Sequence, residues 1–212
     1  GWLEDYNPGW TPNTTDASNR RYRYAQQPQI GAWNLARWLE SLIPLMEQPE
    51  QLEGVLDHYG EVFNEHHNRM WVAKLGLGSW VESDQKLVAN LNSALQTIEI
   101  DMTIFFRLLS TLDAPTLDQL SPSFYEPIGV AEQPLNEWLE AWMIRTDGAP
   151  DQDAMKAANP KYVLRNWMAQ LAIDDAEKGD YATCEALEQL LKAPYDEQPE
   201  MEADWFQRRP EW

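Results

Sequence analysis

The sequence predicts an all-α protein, and three observations carry that prediction. Apolar residues recur at helical spacing in seven successive segments, no alternating β pattern of useful length appears, and no fixed-period repeat is present. Of the 212 residues 43% are apolar and eleven are Trp, far too much burying power for a disordered chain.

Residues 1–28 form a predicted ordered but irregular stretch, with turn signals at Asn7-Pro8-Gly9 and Thr11-Pro12-Asn13. Trp2, Tyr6, Trp10, Tyr22 and Tyr24 are too many aromatics for a free tail, so the stretch is expected to lie against a surface. Residues 29–195 are the predicted helical domain, and 196–212 an acidic, aromatic extension ending in Trp205, Phe206 and Trp212.

The first helix carries Leu35, Trp38, Leu39, Leu42, Ile43 and Met46 at i, i+3, i+4, i+7, i+8 and i+11, and Pro44 should end or kink it. A second stripe runs Leu52, Val55, Leu56, Tyr59, Phe63 and Met70, and Gly76 after Lys74-Leu75 reads as a helix stop. The third holds Leu87, Val88, Leu91, Ala94, Leu95 and Ile98, with Ser83 as its expected cap. Asp101 is expected to cap a fourth, with Met102, Phe105, Phe106, Leu109 and Leu112 on its stripe. Residues 113–133, with Pro115, Pro122 and Pro127, read as a loop and hinge. Leu135, Trp138, Leu139, Trp142 and Met143 make the fifth helix, stopped at Asp147-Gly148. A sixth carries Leu164, Trp167, Met168, Leu171 and Ala172, with Pro160 suited to its first position. A seventh follows Asp180, with Cys184, Leu187 and Leu191 facing inward.

Charge narrows the function classes. Thirty-five acidic against 16 basic residues give a net −19, which repels a phosphate backbone and an anionic membrane alike. Nucleic acid and membrane are therefore not expected as partners. Cys184 is the lone cysteine, so no internal disulfide forms, and no apolar run approaches the length of a membrane span. The chain begins at Gly1 without an initiator Met or a signal-peptide pattern; Gly1 is expected to be a processing site, a tag remnant or a cloning boundary, and the compartment is expected to be the cytoplasm.

No catalytic constellation appears. Leu75-Gly76-Leu77-Gly78-Ser79 lacks the preceding strand and following Lys of a phosphate loop. His58, His66 and His67 lack the i, i+4 pair that puts two ligands on one helix face, and a helical metal site on them is the weakest of the readings. Two basic elements are less ordinary. Arg20-Arg21-Tyr22-Arg23-Tyr24 is a cationic knot followed by Gln27-Pro28 and Trp33-Asn34, and Arg165-Asn166 falls off the apolar stripe near a helix start. The arginine knot is read as pinning the irregular stretch to the acidic helices or meeting a carboxylate or phosphate, and Arg165-Asn166 as binding backbone groups of a neighbouring loop.

Those elements carry a resemblance. The run Arg21-Tyr22-x-Tyr24-x-x-Gln27-Pro28-x-Ile30-x-x-Trp33-Asn34-Leu35 resembles the selenoprotein O family, also called YdiU-type proteins. So do Lys74-Leu75-Gly76-Leu77, Asn159-Pro160 through Arg165-Asn166, Ala172-Ile173, Glu177-x-Gly179-Asp180 and Pro194-Tyr195, all in the same order. The resemblance implies the C-terminal lobe of a protein-kinase-like (pseudokinase) fold repurposed for AMP transfer: ATP bound in a flipped orientation, Mg²⁺ or Mn²⁺ as cofactor, and AMP attached to Ser, Thr or Tyr hydroxyls of protein substrates. The family's nucleotide and metal ligands lie in its N-terminal half, and Gly1-Trp2-Leu3-Glu4-Asp5-Tyr6 resembles the stretch just after its D-[FY]-G-P metal loop. On that reading this chain has no catalytic, cofactor or metal residue. It is expected to be inactive alone, with the N-terminal kinase-like half of the same protein as its partner. Residues 1–24 would then be the analogue of an activation segment. Arg21, Tyr22, Gln27, Pro28, Trp33, Asn34, Arg165 and Asn166 are the expected structural or substrate-facing residues. Two departures stand out: Asn19 occupies a position where many relatives have Gly, and the Cys near Pro12 and the redox-active C-terminal Cys or selenocysteine that some relatives carry do not occur in this sequence. A non-enzymatic helical interaction module, gripping a partner through Trp205 and Trp212, is the alternative.

Overall fold

The computed structural model describes residues 5–11, 18–52 and 54–210. The expectations resting on Trp2, on the Gly1 stretch before Asp5, on Pro12-Asn13 and on Trp212 lie outside these. The described residues form ten α-helices and several 3₁₀ turns, with one isolated β-bridge between Ile100 and Phe124. In chain order the helices are α1 (Gln27–Leu42), α2 (Val55–Leu75), α3 (Asp84–Ala94), α4 (Met102–Leu109), α5 (Leu117–Leu120), α6 (Glu132–Arg145), α7 (Gln152–Ala158), α8 (Asn166–Ala176), α9 (Ala182–Lys192) and α10 (Pro199–Trp205). The all-α class holds throughout them. Residues 7–69 form one compact unit, and 1–6 with 70–212 the other.

In the 7–69 unit, α1 ends where Pro44 enters a 3₁₀ turn, since the proline ring removes the N–H a continuing helix needs. The Asn7-Pro8-Gly9 turn forms, with the Asn7 side chain accepting from the Gly9 amide at 2.9 Å. Residues 7–11 then join the start of α1: the Tyr24 amide donates to Trp10 O and the Ala25 amide to Pro8 O. Gly31 lets α1 approach α2, because a Cβ there would sit 2.7 Å from the Tyr59 hydroxyl, which donates to Pro28 O. The stripe predicted for α1 exists, yet within the described residues of this unit only Ile30 and Leu39 are buried apolar side chains. Periodicity identifies an amphipathic helix; it does not say what covers it.

The larger unit holds the main core. There α3 packs on α6, and the Trp138 and Trp142 rings stack 5.9 Å apart. Both indoles also satisfy carbonyls at the far side, Trp138 donating to Leu87 O and Trp142 to Leu75 O. Helix α4 is buried on nearly every side, and Asp101 caps it as expected, accepting from the Ile104 amide at 3.0 Å. Helix α2 closes on Gly76, whose φ of +62° suits the residue after a helix. The predicted stop of α6 also forms, with Asp147 and Gly148 both at positive φ.

Several local expectations are corrected. Ser83 makes no side-chain cap to α3; the Asp84 side chain at the first helical position instead accepts from the upstream Val81 amide at 2.9 Å and so fastens the entering turn to the helix. Pro160 is not a helix start, because residues 160–165 run as loop and α8 begins only at Asn166. Helix α7 lacks an apolar stripe to announce it and is instead nucleated by Asp151, which accepts from the Ala154 amide. The 113–133 stretch contains α5, closed by a Thr116–Gln119 capping box, and buries Leu120, Phe124 and Ala131 in the main core. Cys184 is exposed, while Leu187 and Leu190 face inward on α9. Next to Asn19, where many relatives have Gly, it is Arg20 that takes a left-handed φ of +45°.

Candidate functional site

Around the first turn of α1 the predicted basic knot folds on itself. Arg23 donates to Arg20 O at 3.2 Å and to Gln26 Oε1 at 2.8 Å, closing the turn that leads into the helix. Gln27 reaches back to Tyr22 O at 2.7 Å, so the Gln side chain fastens the basic run to α1. Pro28 occupies the opening turn, where its missing N–H costs nothing, and its carbonyl receives Tyr59. Trp33 is a platform with two guanidiniums over its ring, Arg21 at 5.4 Å and Arg37 at 5.7 Å. Asn19, Arg21, Arg23, Gln29 and Trp33 line an open cleft of about 510 Å³. Asn34 is exposed on the same helix. Five of the eight expected residues, Arg21, Tyr22, Gln27, Pro28 and Trp33, are thus brought together at one end of the 7–69 unit.

Arg165 belongs to the other unit and has a different surrounding. It is buried and grips Asp101 with both terminal nitrogens, Nη2 to Oδ1 at 2.9 Å. Asp101 therefore satisfies a helix N-terminus and a guanidinium at once. Tyr125 donates to the same carboxylate at 3.4 Å, and burial together with the Asp101 charge pushes its phenol up to about 12. Arg165 thus pairs with a buried carboxylate, where the sequence reading expected the backbone of a neighbouring loop. Asn166, the first residue of α8, is exposed.

A second polar network was not legible from pattern. Asn159 is buried and donates to Lys74 O and Ser110 Oγ, while its Oδ1 accepts from Lys74 Nζ at 2.6 Å. The Lys74 ammonium also sits 4.1 Å from the Phe106 ring centre, and burial pulls it down to about 8. Arg107 donates to Lys156 O and Asn159 O, both at 3.2 Å, and to Glu197. Lys161, also buried, binds Glu197 at 3.0 Å and Glu202 at 2.8 Å. Burial alone would lower its ammonium, but these hydrogen bonds outweigh it and hold Lys161 above its ordinary value. The one signal for Arg107 is a cation inside the otherwise uncharged and mostly apolar run Met102–Leu109.

The extension after residue 195 is held by these same contacts. Trp205 stacks on Trp167, Phe206 meets Tyr162 edge-on, and Arg209 bridges Asp5 and Glu99. Trp205 accordingly packs inward and is not the free partner-gripping aromatic of the alternative reading. Among the described residues no three His, Cys, Asp or Glu side chains are placed to hold a metal ion, so the histidine site is not built. His67 stacks on Phe63, and His58 lies beside Glu61. Nor do the described residues fit the Mg²⁺ or Mn²⁺ that the family resemblance implies, and no helix among them is long and apolar enough to cross a membrane.

The family model for "Protein adenylyltransferase SelO" matches residues 1–192. The chain belongs to the SelO family. Among similar proteins, a "Protein nucleotidyltransferase YdiU" of Aromatoleum aromaticum is 45% identical over the whole chain, which covers 42% of that relative. Proteins of the same description from Flavobacterium johnsoniae and Rhodopirellula baltica are 41% and 43% identical, again over the whole chain, which covers 43% and 44% of them. The chain spans less than half the length of these SelO-family relatives. The family match ends near the last turn of α9, so Glu197 and Glu202 lie beyond it while Arg107 and Lys161, which they neutralise, lie within it.

Proposed function

We propose that this chain is the C-terminal helical part of a protein adenylyltransferase with a protein-kinase-like fold. The whole protein would move AMP from ATP, with Mg²⁺ or Mn²⁺, onto Ser, Thr or Tyr hydroxyls of other proteins in the cytoplasm. The N-terminal half would supply the nucleotide and metal ligands, and this chain the scaffold. One observation carries the reading: the SelO family model covers residues 1–192, in a chain that is less than half the length of its relatives. The side-chain geometry agrees with it. Asp101, Arg165, Asn159, Arg107 and Lys161 are buried and committed to one another, to helix ends or to Glu197 and Glu202, which is how a scaffold uses polar groups.

Within this proposal the Arg21–Trp33 cluster has an activation-segment role, ordering residues 18–26 against α1 or facing the protein substrate. Two measurements test the division of labour. Calorimetric titration of Mg-ATP into the 212-residue chain is expected to show no micromolar binding; such binding would place a nucleotide site in this half. The full-length protein, given ATP, Mg²⁺ or Mn²⁺ and an acceptor protein, is expected to leave AMP on hydroxyl side chains, read by mass spectrometry. Transfer with neither metal removes the activity from the proposal.

A further inference from the structure

The 7–69 unit has two amphipathic helices and almost no core. Against its buried Ile30 and Leu39 stand Trp38 at 58% exposure, Ile43 at 45%, Leu45 at 81% and Leu56 at 42%. These belong to the end of α1, the 3₁₀ turn after it and the beginning of α2. Beside them a groove of about 380 Å³ runs between the two helices, floored by Ala36, Leu39, Ile43, Leu52 and Leu56 and rimmed by Glu40 and Asp57. A wide apolar stripe with a polar rim is the signature of a surface built to be covered.

The geometry points to this face as the seam on which the rest of the full-length protein packs. The inference rests on reading the chain as one part of a longer adenylyltransferase. More than half of the relatives' length lies outside the match, so on that reading the covering partner belongs to the same polypeptide. A second copy of this chain is the poorer occupant, because two bodies each carrying a net −19 repel. The tethered partner avoids that obstacle and needs little area, since covalent linkage supplies an effective concentration on the order of millimolar. Charge favours the same occupant. Residues 38–57, which carry the face, contain five carboxylates and no Lys or Arg, and the neighbouring Arg37 is paired with Glu40, so the covering surface would present basic groups there, which a second copy of this face lacks.

Hydroxyl-radical footprinting of the 212-residue chain and of the full-length protein, both at concentrations where sedimentation finds monomers, tests the seam. Trp38, Leu45 and Leu56 are expected to be readily oxidised in the chain and to lose most of that reactivity in the full-length protein. Equal reactivity in both overturns the proposal. So does protection already present in the monomeric chain, which would mean that its own residues cover the face. Protection in the chain that appears only with rising concentration, together with a dimer in sedimentation, assigns the face to a second copy instead. The footprint does not depend on turnover: a protein that protects the seam but transfers no AMP sinks the activity alone, and one that transfers AMP with the face bare sinks only the seam.

Discussion

Replacing Arg165 by alanine would leave Asp101 buried with its helix-capping bond but without its counter-charge. Stranding one member of a buried ion pair costs about 3–5 kcal/mol, and urea unfolding of the Arg165→Ala chain is expected to show a loss of that order. The Arg165→Met/Asp101→Asn double variant should lose less than the two single changes summed, because neither charge then remains alone. Lys74 gives a prediction in pH. Its folded-state value of about 8 lies below the ordinary 10.5, so the unfolded chain binds the proton more tightly. Its contribution to stability must therefore rise as pH climbs from about 8 towards 10.5. Comparing the chain with Lys74→Met from pH 7 to 10, stability should gain more with pH in the parent than in the variant. A flat difference would mean that the ammonium keeps its ordinary affinity when buried beside Asn159 and Phe106. Neither residue's setting is visible locally: Lys74 stands in a motif that reads as a helix stop, and the partner of Arg165 is 64 positions away.

Among elements, the end of α2 shows how turn chemistry and packing combine. Gly76 has φ +62°, and a Cβ there would meet the Asp151 amide nitrogen at 2.7 Å, a backbone atom that cannot swing aside. Gly54 has a comparable φ of +78° with nothing within 4 Å. Gly54→Ala should cost about 1 kcal/mol, the conformational penalty alone. Gly76→Ala should cost clearly more, since contact strain adds to it, and thermal melts of the two variants check the order. Periodicity located α1 to α4, α6, α8 and α9, and capping chemistry marked Asp101 correctly. It failed where a helix is too short to show a stripe, as in α7. Capping chemistry also failed at Ser83, whose side chain makes no bond to the start of α3. A cap is chosen by the angle at which the chain enters the helix, and that angle is fixed by what the helix packs against.

At the scale of the whole molecule, the two units differ in how much core each owns. Local opening is cheapest where few apolar contacts are lost. Hydrogen exchange on the 212-residue chain should therefore find the amides of α1 opening before those of α4 and α6. Equal protection would show that α1 draws support beyond Ile30 and Leu39. The sequence by itself determined the helical class, most helix positions and the family, because these depend on spacing along the chain and on motifs read in order. Only the tertiary structure decided which stripes are covered, that Cys184 and Trp38 face outward, and that Arg165, Arg107 and Lys161 are buried against carboxylates. Burial and charge pairing join residues tens of positions apart, and nothing in a local pattern distinguishes an apolar face that has found its partner from one still waiting for it.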